Sequence, residues 1–388
     1  MAKDLPVTLI GLDLGTSKTA VIIAGVYKGS LELVGAGETP SVGIQKGVIT
    51  NPALAAKSVK QALEKAEKVA GVRGGKVSVS YCGAGIEVEN YQTGRIATTG
   101  CDPLPDGVLP GKRMILRFPA PFTQTGCDPA DSGSRAVTAP SEDIASLKEC
   151  VRLAGPTVQE VIYGPLAGAH ALLTPAEMEF GTILMDIGAG TTSISIFDRG
   201  LLRETTVLPL GGEHLAGDLA IGLRISLAEA GDILKEYKPE AAPREIADCA
   251  GTGIGAGVIS VKPKDLVQSI VEARITEIIS LAGKVIRGFH YPGFLPGGVV
   301  FCGGVSQLSG LAPVAGEILQ MPVRIGQFQT VGLTLSPAYT NALGLVKYQF
   351  SRLRGERKNF KVRQDQNEGF VDRVINWFQD RKKGDRRY

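Results

Sequence analysis

The chain has 388 residues, of which 44% are hydrophobic and 21% charged, and its formal net charge is +3. This length predicts two domains of roughly 150–200 residues each. The near-neutral charge argues against a general nucleic-acid-binding protein. No run approaches 18 apolar residues, so no segment is expected to span a bilayer.

The first elements alternate strands with tight turns. VTLIGLDLG predicts a buried strand running into a glycine turn, and TAVIIAGVYKG and SLELVGAGETP predict two further strands of an antiparallel meander. NPALAAKSVKQALEKAEKVAG predicts an amphipathic helix with Asn51 as N-cap, Pro52 at the first position and Gly71 at the end. KVSVSYCGAGIEVEN predicts another strand pair. These elements make up a first domain, residues 5–92.

The middle of the chain changes character. Residues 93–141 are rich in Pro and Gly and show little periodicity, which predicts a loop or a poorly formed small insertion. A helix is predicted from Ser141 to Ala154. Residues 142–180 are expected to return the chain to the first domain.

Residues 181–350 repeat the opening pattern as a second domain. LMDIGAGTTSISIF is a second copy in kind of LIGLDLGTSKTAVII, and this internal duplication predicts two related domains. A long helix is predicted from Pro263 to Gly288, and PGGVVFCGGVSQLSGL predicts a strand, a Gly-rich turn and a helix start. Residues 351–369 are polar and charged, which predicts a linker.

Both copies of the hairpin carry groups that suit a phosphate. In each, an Asp ends one strand, and Gly with Thr or Ser forms the turn. Backbone N–H groups of such a turn can hold phosphate oxygens, and an Asp can position Mg²⁺ through water. Two hairpins about 170 residues apart therefore predict a nucleotide between two domains, with the turn at Cys302-Gly303-Gly304 over the base or ribose. The alternative is a set of ordinary glycine hairpins, since neither a Walker A nor a Rossmann pattern is present.

The last segment, residues 370–388, predicts an amphipathic basic helix. Residues 351–388 hold 12 basic and six acidic side chains, so this end is +6 and the rest of the chain −3. The pattern is typical of a helix that lies in a membrane interface, whereas docking on the body or in a partner groove is the alternative. The expected membrane contacts are Phe370, Val371, Val374, Ile375, Trp377, Phe378, Arg381, Lys382 and Lys383.

Cysteine and histidine usage suggests no metal or disulfide framework. The six Cys are scattered without a CxxC pair, and the three His are not in metal-ligand spacing. This usage predicts reduced, mostly structural thiols in a cytosolic protein.

Seven stretches of the sequence together resemble a known family: GLDLGTSKTAVIIAGV, VGAGETPSVGIQKGVITN, LMDIGAGTTSISIFDRG, LPLGGEHLAGDLAIGLRISLAEA, DLVQSIVEARITEII, GGVVFCGGVSQLSGL and SPAYTNALGL. Through them the chain resembles the actin-like ATPase superfamily and, within it, most closely the FtsA family of bacterial cell division proteins. The resemblance implies an α/β fold with two actin-like (ribonuclease H-like) domains around a nucleotide cleft, plus a C-terminal amphipathic helix. Residues 93–141 are too few for the extra subdomain of that family, which is expected to be shortened or missing.

The resemblance also implies a set of site residues. It implies ATP as the ligand, with Mg²⁺ held through water by Asp13 and Asp186. Gly164 stands where the family usually has the Glu of Glu-Pro-Leu-Ala, a position that orients the attacking water in related ATPases. At most a weak ATPase is therefore expected, and no catalytic residue is assigned. The implied nucleotide-binding residues are Asp13, Gly15, Thr16, Ser17, Lys18, Asp186, Gly188, Gly190, Thr191, Thr192, Gly211, Gly212, Gly303 and Gly304.

The function that the resemblance implies is that of a peripheral protein on the cytoplasmic face of the cell membrane, part of the divisome at the septum. It would tether FtsZ filaments by binding the FtsZ C-terminal peptide, contact an anionic membrane surface and self-associate into filaments, with no nucleic-acid partner. The FtsZ contacts would lie around residues 214–222 and 264–279. The alternatives are another actin-like scaffold, of the pilus-assembly type, or a soluble small-molecule kinase of the same superfamily.

Overall fold

The computed structural model describes residues 7–27, 29–91, 111–119, 134–238, 263–328 and 336–359. Within them, the first domain contains β1 (Thr8–Leu14), β2 (Lys18–Tyr27), β3 (Ser30–Pro40), β4 (Ile44–Gln45), β5 (Val48–Ile49), α1 (Pro52–Ala70), β6 (Lys76–Tyr81), β7 (Glu87–Tyr91), β8 (Lys112–Pro119), β9 (Ser134–Pro140), α2 (Ser141–Ala154), β10 (Thr157–Tyr163) and α3 (Gly164–Leu172). The second contains α4 (Pro175–Phe180), β11 (Thr182–Ile187), β12 (Thr192–Asp198), β13 (Leu201–Leu208), α5 (Gly212–Leu223), α6 (Leu227–Glu236), α7 (Pro263–Gly288), β14 (Val299–Cys302), α8 (Leu311–Leu319) and β15 (Val323–Ile325). The last helix is α9 (Thr340–Asn359), and 3-10 turns lie at Gly304–Gln307 and Pro337–Tyr339.

The two large sheets share one topology, which confirms the predicted duplication. In the first sheet β3, β2 and β1 form the antiparallel meander, and β6 and β10 extend it in parallel to β1. In the second sheet β13, β12 and β11 form the meander, and β14 and β15 extend it in the same way. The strands β2 and β12 are buried along almost their whole length, as expected for sheets covered on both faces. Each domain thus places a hairpin turn at the carboxyl end of its first strand.

The predicted first helix is confirmed in its detail. Asn51 caps α1 by accepting a hydrogen bond from the N–H of Leu54 at 3.1 Å, Pro52 is the first helical residue, and Gly71 ends the helix in the left-handed region at φ 69°. The helices predicted for 141–154 and 263–288 have the bounds that the sequence predicted. The side-chain cap of Asn51 and the left-handed conformation of Gly71 determine the ends of α1.

The last helix returns from the second domain to the first. α9 packs against β1, β2 and α3. The packing is close because two glycines leave room for backbone. A Cβ on Gly344 would stand 1.8 Å from the carbonyl oxygen of Ala167 in α3, and a Cβ on Gly11 would stand 2.2 Å from the carbonyl oxygen of Ala342. These contacts fix the start of α9 relative to the first domain.

The structure corrects three sequence predictions. Within residues 93–141, the stretches 112–119 and 134–140 are strands rather than loop, because they pair with each other and with β7 in a small sheet of order β7-β9-β8. KVSVSYCGAGIEVEN does not form a strand pair, since β6 joins the large sheet and β7 the small one. The expected linker from residue 351 is helical through Asn359, because this stretch holds good helix formers and no proline.

The small sheet lies against the second domain. Arg135 on β9 forms an ion pair with Glu204 on β13, both with largely buried side chains. Nearby, the hydroxyls of Tyr163 and Thr205 lie 2.7 Å apart across the same boundary. These contacts join the two domains on the side of β13.

Other domain predictions lie partly or wholly outside the described residues. The amphipathic segment 370–388 with its membrane contacts is outside them, as is the linker after Asn359. The division of the chain at 92, 141, 180 and 350 stays a prediction; α4, which is grouped here with the second domain because it contacts β12, lies before the predicted boundary at 180. No helix in the described part of the chain is long and apolar enough to cross a bilayer.

Candidate functional site

A cavity of about 320 Å³ lies between the two domains, where the turns that follow β1 and β11 face each other. This cavity, the cleft, has a volume within the range of about 300–1,000 Å³ that is usual for small-molecule sites. Twelve of the fourteen predicted nucleotide-binding residues line it: Asp13, Gly15, Thr16, Ser17, Lys18, Asp186, Gly188, Gly190, Thr191, Gly212, Gly303 and Gly304.

The two hairpin turns are built alike. The N–H of Gly15 donates to the carbonyl of Lys18 at 3.0 Å, and the N–H of Gly188 donates to the carbonyl of Thr191 at 2.9 Å. In each turn the residues between these partners line the cleft. Turns of this kind can present N–H groups to an anion. The sequence duplication is therefore also a duplication of hydrogen bonding at the site.

The two turns touch across the cleft. A Cβ on Gly190 would stand 2.7 Å from the hydroxyl oxygen of Thr16 and 2.8 Å from the Cα of Lys46. The same Thr16 hydroxyl oxygen accepts a hydrogen bond from the N–H of Gly47 at 2.9 Å. A side chain at position 190 would hold the turns apart, so glycine is required here by close approach.

Two carboxylates meet at the base of the cleft. Asp13 and Asp186 occupy matching places on β1 and β11, opposite Ala20 and Ser193 respectively. The pKa of Asp13 is raised from 3.8 to about 6, chiefly by burial and also by the charge of Asp186, against the opposing effect of a hydrogen bond that Ser80 donates to its carboxylate. Burial likewise raises the pKa of Asp186 above its usual range. The protein brings together two acidic groups that repel each other.

This donor set suits a hard divalent cation shared with a ligand. Carboxylate and hydroxyl oxygens are what Mg²⁺ prefers, and it usually keeps several waters. Among the described residues, no three His, Cys, Asp or Glu side chains are arranged to hold a metal by themselves. The hydroxyl of Ser193 is buried in the cleft wall with no hydrogen-bond partner in the described part of the chain. Asp13 and Asp186 thus fit the role of holding Mg²⁺ together with water and phosphate oxygens.

The turn after β14 closes the far wall of the cleft. Gly303 has φ 84°, in the left-handed region, and a Cβ there would stand 2.4 Å from the Asp186 carboxylate. No larger residue fits this turn without displacing that carboxylate. The neighbouring Gly304 has no atom within 4 Å of its Cβ position, so its face is open to the cleft.

Two predicted residues lie just behind the cleft wall. The Thr192 side chain faces the protein interior, because β12 begins there, and its hydroxyl donates to the carbonyl of Leu210 at 2.8 Å. The Gly211 backbone packs on the second turn, with its Cβ position 2.5 Å from the carbonyl oxygens of Gly188 and Ala189. The expected contact of Thr192 with a nucleotide therefore lacks support from its position.

The predicted water-orienting position adjoins the same cleft. Gly164 is the first residue of α3, and its Cβ position lies 3.1 Å from the Cβ of Cys82 and 3.9 Å from the Asn341 side-chain nitrogen, both residues of the cleft wall. A glycine here supplies no acid or base. No catalytic residue is assigned from the sequence, and the expectation of at most a weak ATPase stays a prediction.

Sequence reasoning missed several residues of the cleft. Ser80 and Cys82 come from the end of β6, and Asn341 comes from the start of α9. Gly231 and Leu234 on α6 form the wall beside the turn at Gly303. The stretch SPAYTNALGL was noticed, but nothing local in it indicates that its Asn meets two distant aspartates. A further set of lining residues is Leu14, Gly47, Ala189, Ser193, Val305, Pro337, Ala338 and Thr340.

The two thiols near the aspartates are protonated groups. Burial, followed by the charge of Asp186, raises the pKa of both Cys82 and Cys302 above the usual thiol range. The thiolate is the reactive form of cysteine, so this environment disfavours a nucleophilic role. Both are free cysteines in the structure.

Comparison with known proteins identifies relatives over most of the chain. The family described as cell division protein FtsA matches residues 183–344. The cell division protein FtsA of Pseudomonas aeruginosa is 31% identical over 376 residues, covering 88% of this chain and 88% of that protein. The protein of the same name from Bacillus subtilis is 30% identical over 385 residues, covering 91% of this chain and 86% of that protein.

Solved structures share the fold at low sequence identity. A chain of a PilM–PilN type IV pilus biogenesis complex matches with a TM-score of 0.65 and 17% identity, covering 88% of this chain and 98% of that chain. An MreB protein of Spiroplasma citri bound to AMPPNP matches with a TM-score of 0.53 and 14% identity, covering 91% of this chain and 98% of that chain. These likenesses confirm the predicted actin-like α/β fold.

Proposed function

The chain belongs to the FtsA family of cell division proteins, and from this membership we propose that it is an ATP-binding adaptor that tethers FtsZ filaments to the cytoplasmic face of the cell membrane. The observation that carries the nucleotide part is the cleft, where two duplicated glycine turns and two aspartates from separate domains face one space. The AMPPNP held by the MreB neighbour supports the same ligand class.

Within the cleft, each group has a proposed role. The turns at Thr16–Ser17 and at Gly190–Thr191 hold phosphate oxygens, with Lys18 as the nearby positive charge. Asp13 and Asp186 hold Mg²⁺ through water, and a bound cation favours the ionised form of both carboxylates against the burial that raises their pKa values. The ribose and base lie toward the wall formed by Gly303, Gly304 and α6.

Hydrolysis is proposed to be slow at most. Phosphoryl transfer to water relies on positioning and charge stabilisation, including a residue that orients the water. Position 164 is a glycine, and the thiol of Cys82 beside it is held in its protonated form. Binding of nucleotide is therefore retained while the chemical step has no assigned acid or base.

The membrane part of the proposal rests on the sequence of residues 370–388. Six apolar side chains on one face, followed by Arg and Lys, suit a helix lying at the surface of anionic lipid. Each cation near the headgroups adds about 1 kcal/mol, so one copy binds weakly. Copies linked in a filament bind the membrane strongly, because once one helix is bound, the helices of the other copies are held close to the same surface. Self-association and membrane attachment therefore belong to one proposed mechanism.

The FtsZ part of the proposal follows from family membership. The proposed partner is the FtsZ C-terminal peptide, and the proposed contacts are residues 214–222 and 264–279, which lie on α5 and α7. The likeness to the pilus complex is one of fold alone, at 17% identity. The pilus-type scaffold and the small-molecule kinase have no observation in their favour over the FtsA family.

Two binding measurements test this function on the purified full chain. A fluorescent ATP analogue with Mg²⁺ should bind the wild type and lose affinity at least about tenfold in Asp186→Asn, because the ion loses a charged partner. Glu149→Gln, which changes an exposed carboxylate on α2, is the matched control and should bind like the wild type. A labelled FtsZ C-terminal peptide should bind saturably, and a scrambled peptide should not. If the full chain binds neither the ATP analogue nor the FtsZ peptide, the proposed function is refuted.

A further inference from the structure

One side chain connects the aspartates of the two domains. Asn341 lies in the first turn of α9, and its side-chain nitrogen Nδ2 is 3.5 Å from Oδ2 of Asp186 in the second domain. Asp13 of the first domain, Asp186 and Asn341 all line the cleft. A single amide from a third element thus donates to the carboxylate of one domain in the space that it shares with the carboxylate of the other.

The packing of α9 fixes this amide in place. Ala342 and Leu343, the next two residues, are fully buried, and the Thr340 hydroxyl donates to the carbonyl of Pro337 at 2.8 Å. The close approach of α9 to α3 and β1 described above leaves the first turn no room to shift. A side chain held by a rigid element in this way is preorganised for its contacts.

The space that holds the amide is created by glycines on α3. The Cβ position of Gly164 is 3.9 Å from Nδ2 of Asn341, and that of Gly168 is 3.3 Å from Oδ1. The α3 surface therefore offers no side chain of its own toward the aspartates. Oδ1 is buried and has no hydrogen-bond partner in the described part of the chain. Turning the amide over would set that oxygen against the Asp186 carboxylate, so the charge determines its orientation.

The first turn of α9 adds a second favourable effect at the same place. Thr340 and Asn341 both line the cleft, at the N-terminus of a helix of 20 residues. The partial positive charge of a helix N-terminus stabilises nearby anions. The amide and the helix end therefore act in the same direction on the two carboxylates.

We propose that Asn341 is a positioning residue of the cleft, which offsets the repulsion between Asp13 and Asp186 and so holds the two domains at the spacing that a metal-bound nucleotide bridges. The nucleotide role rests on the proposed function. The contact of the amide with the carboxylates does not depend on the proposed function, and it can be tested with Mg²⁺ alone.

The first test compares Asn341→Ala with Asn341→Asp in thermal unfolding of the full chain at pH 8, without nucleotide, in EDTA and in millimolar Mg²⁺. Both remove the amide, but Asp also adds a negative charge beside two others. We expect N341D to unfold at least about 3 °C below N341A in EDTA. We also expect Mg²⁺ to recover most of the loss in N341D and little in N341A. If N341D and N341A have equal melting temperatures and respond equally to Mg²⁺, the inferred contact of the amide with the carboxylates is wrong.

The matched control is Gln349→Ala on the same helix. Gln349 is a buried amide whose Nε2 lacks a partner among the described residues, and it does not line the cleft. The Gln349→Ala variant shows how much stability is lost when a buried amide outside the cleft is removed from α9. Its response to Mg²⁺ should equal that of the wild type, and a shift like that of N341D would contradict the inference.

The second test measures affinity for a fluorescent ATP analogue with Mg²⁺. N341A should bind about tenfold more weakly than the wild type, the size expected for loss of a hydrogen bond to a charged group. Q349A should bind as the wild type does. Unchanged binding by N341A would overturn the positioning role. If N341D cannot be purified in a folded form, this affinity measurement alone tests the proposal. A wild type that binds no nucleotide would refute the proposed function and leave the Mg²⁺ experiment standing.

Discussion

Replacing Asp13 with Asn tests whether the cleft is electrostatically strained in the absence of ligand. Burial, with the added charge of Asp186, raises the pKa of Asp13 from 3.8 to about 6. A rise of this size corresponds to about 3 kcal/mol of unfavourable free energy for the ionised form in the folded state. Asp13 is only partly buried and lies at the base of an open cleft, so solvent screening reduces this figure to about 1–3 kcal/mol.

The sign of the pH dependence follows from proton binding. Between pH 3.8 and about 6 the folded chain binds more protons at Asp13 than the unfolded chain does. This group therefore lowers the free energy of unfolding as the pH rises through that window, with the full effect above pH 6. Asn cannot ionise, yet it keeps an oxygen to accept the hydrogen bond from Ser80. D13N should therefore be the more stable protein by about 1–3 kcal/mol at pH 8 and by about half as much at pH 5.

The assay is urea unfolding of the full chain at pH 5 and pH 8, without Mg²⁺ or nucleotide. Glu149→Gln serves as the control, because Glu149 is an exposed carboxylate paired with Arg152 on α2, far from the cleft. D13N should also lose binding of the fluorescent ATP analogue, so that gain of stability and loss of function occur together. A D13N chain that is no more stable than the wild type at pH 8 would refute the electrostatic reasoning.

Two glycine substitutions test the packing around the site, each by comparison of denaturation midpoints. Gly303→Ala should lower the free energy of unfolding by about 2 kcal/mol or more and weaken nucleotide binding, because φ is 84° and the new Cβ would meet the Asp186 carboxylate. Its control is Gly304→Ala, whose Cβ meets nothing within 4 Å and which should change stability little. Gly344→Ala should lower the free energy of unfolding by at least about 3 kcal/mol, because its Cβ would overlap a backbone carbonyl of α3. Its control is Gly217→Ala in α5, which has open space around the Cβ position and should stabilise the protein by up to about 1 kcal/mol. Equal effects within either pair would contradict the packing described.

The sequence predicted those features that local chemistry determines. α1 begins at a capping Asn followed by Pro and ends at a Gly, so its bounds could be predicted from the residues at its two ends. The duplicated Asp-x-Gly turns predicted both the paired meanders and most of the cleft. The hairpin pattern is repeated, and repetition makes a weak local signal specific.

The features that the sequence did not predict depend on contacts between distant segments. β8 and β9 lie in a Pro- and Gly-rich region, and their pairing with each other and with β7 joins segments that are far apart in the sequence. Asn341 reaches the aspartates only because α9 crosses back to the first domain over Gly11 and α3. Neither result can be derived from periodicity, since each requires the tertiary arrangement that the rest of the chain imposes.

The central proposal, a nucleotide-dependent membrane adaptor, is tested most directly by co-sedimentation with lipid vesicles in Mg-ATP. The full chain is compared with a chain ending at Asn359, which keeps the whole of α9, and with the full-length Trp377→Glu variant, which keeps every basic residue of the tail. The full chain should pellet with vesicles rich in phosphatidylglycerol and less with phosphatidylcholine alone, while the shortened chain and W377E stay mainly in the supernatant. Equal pelleting of all three proteins on anionic vesicles would contradict the membrane role of residues 370–388, and with it the proposal that this chain is a tether.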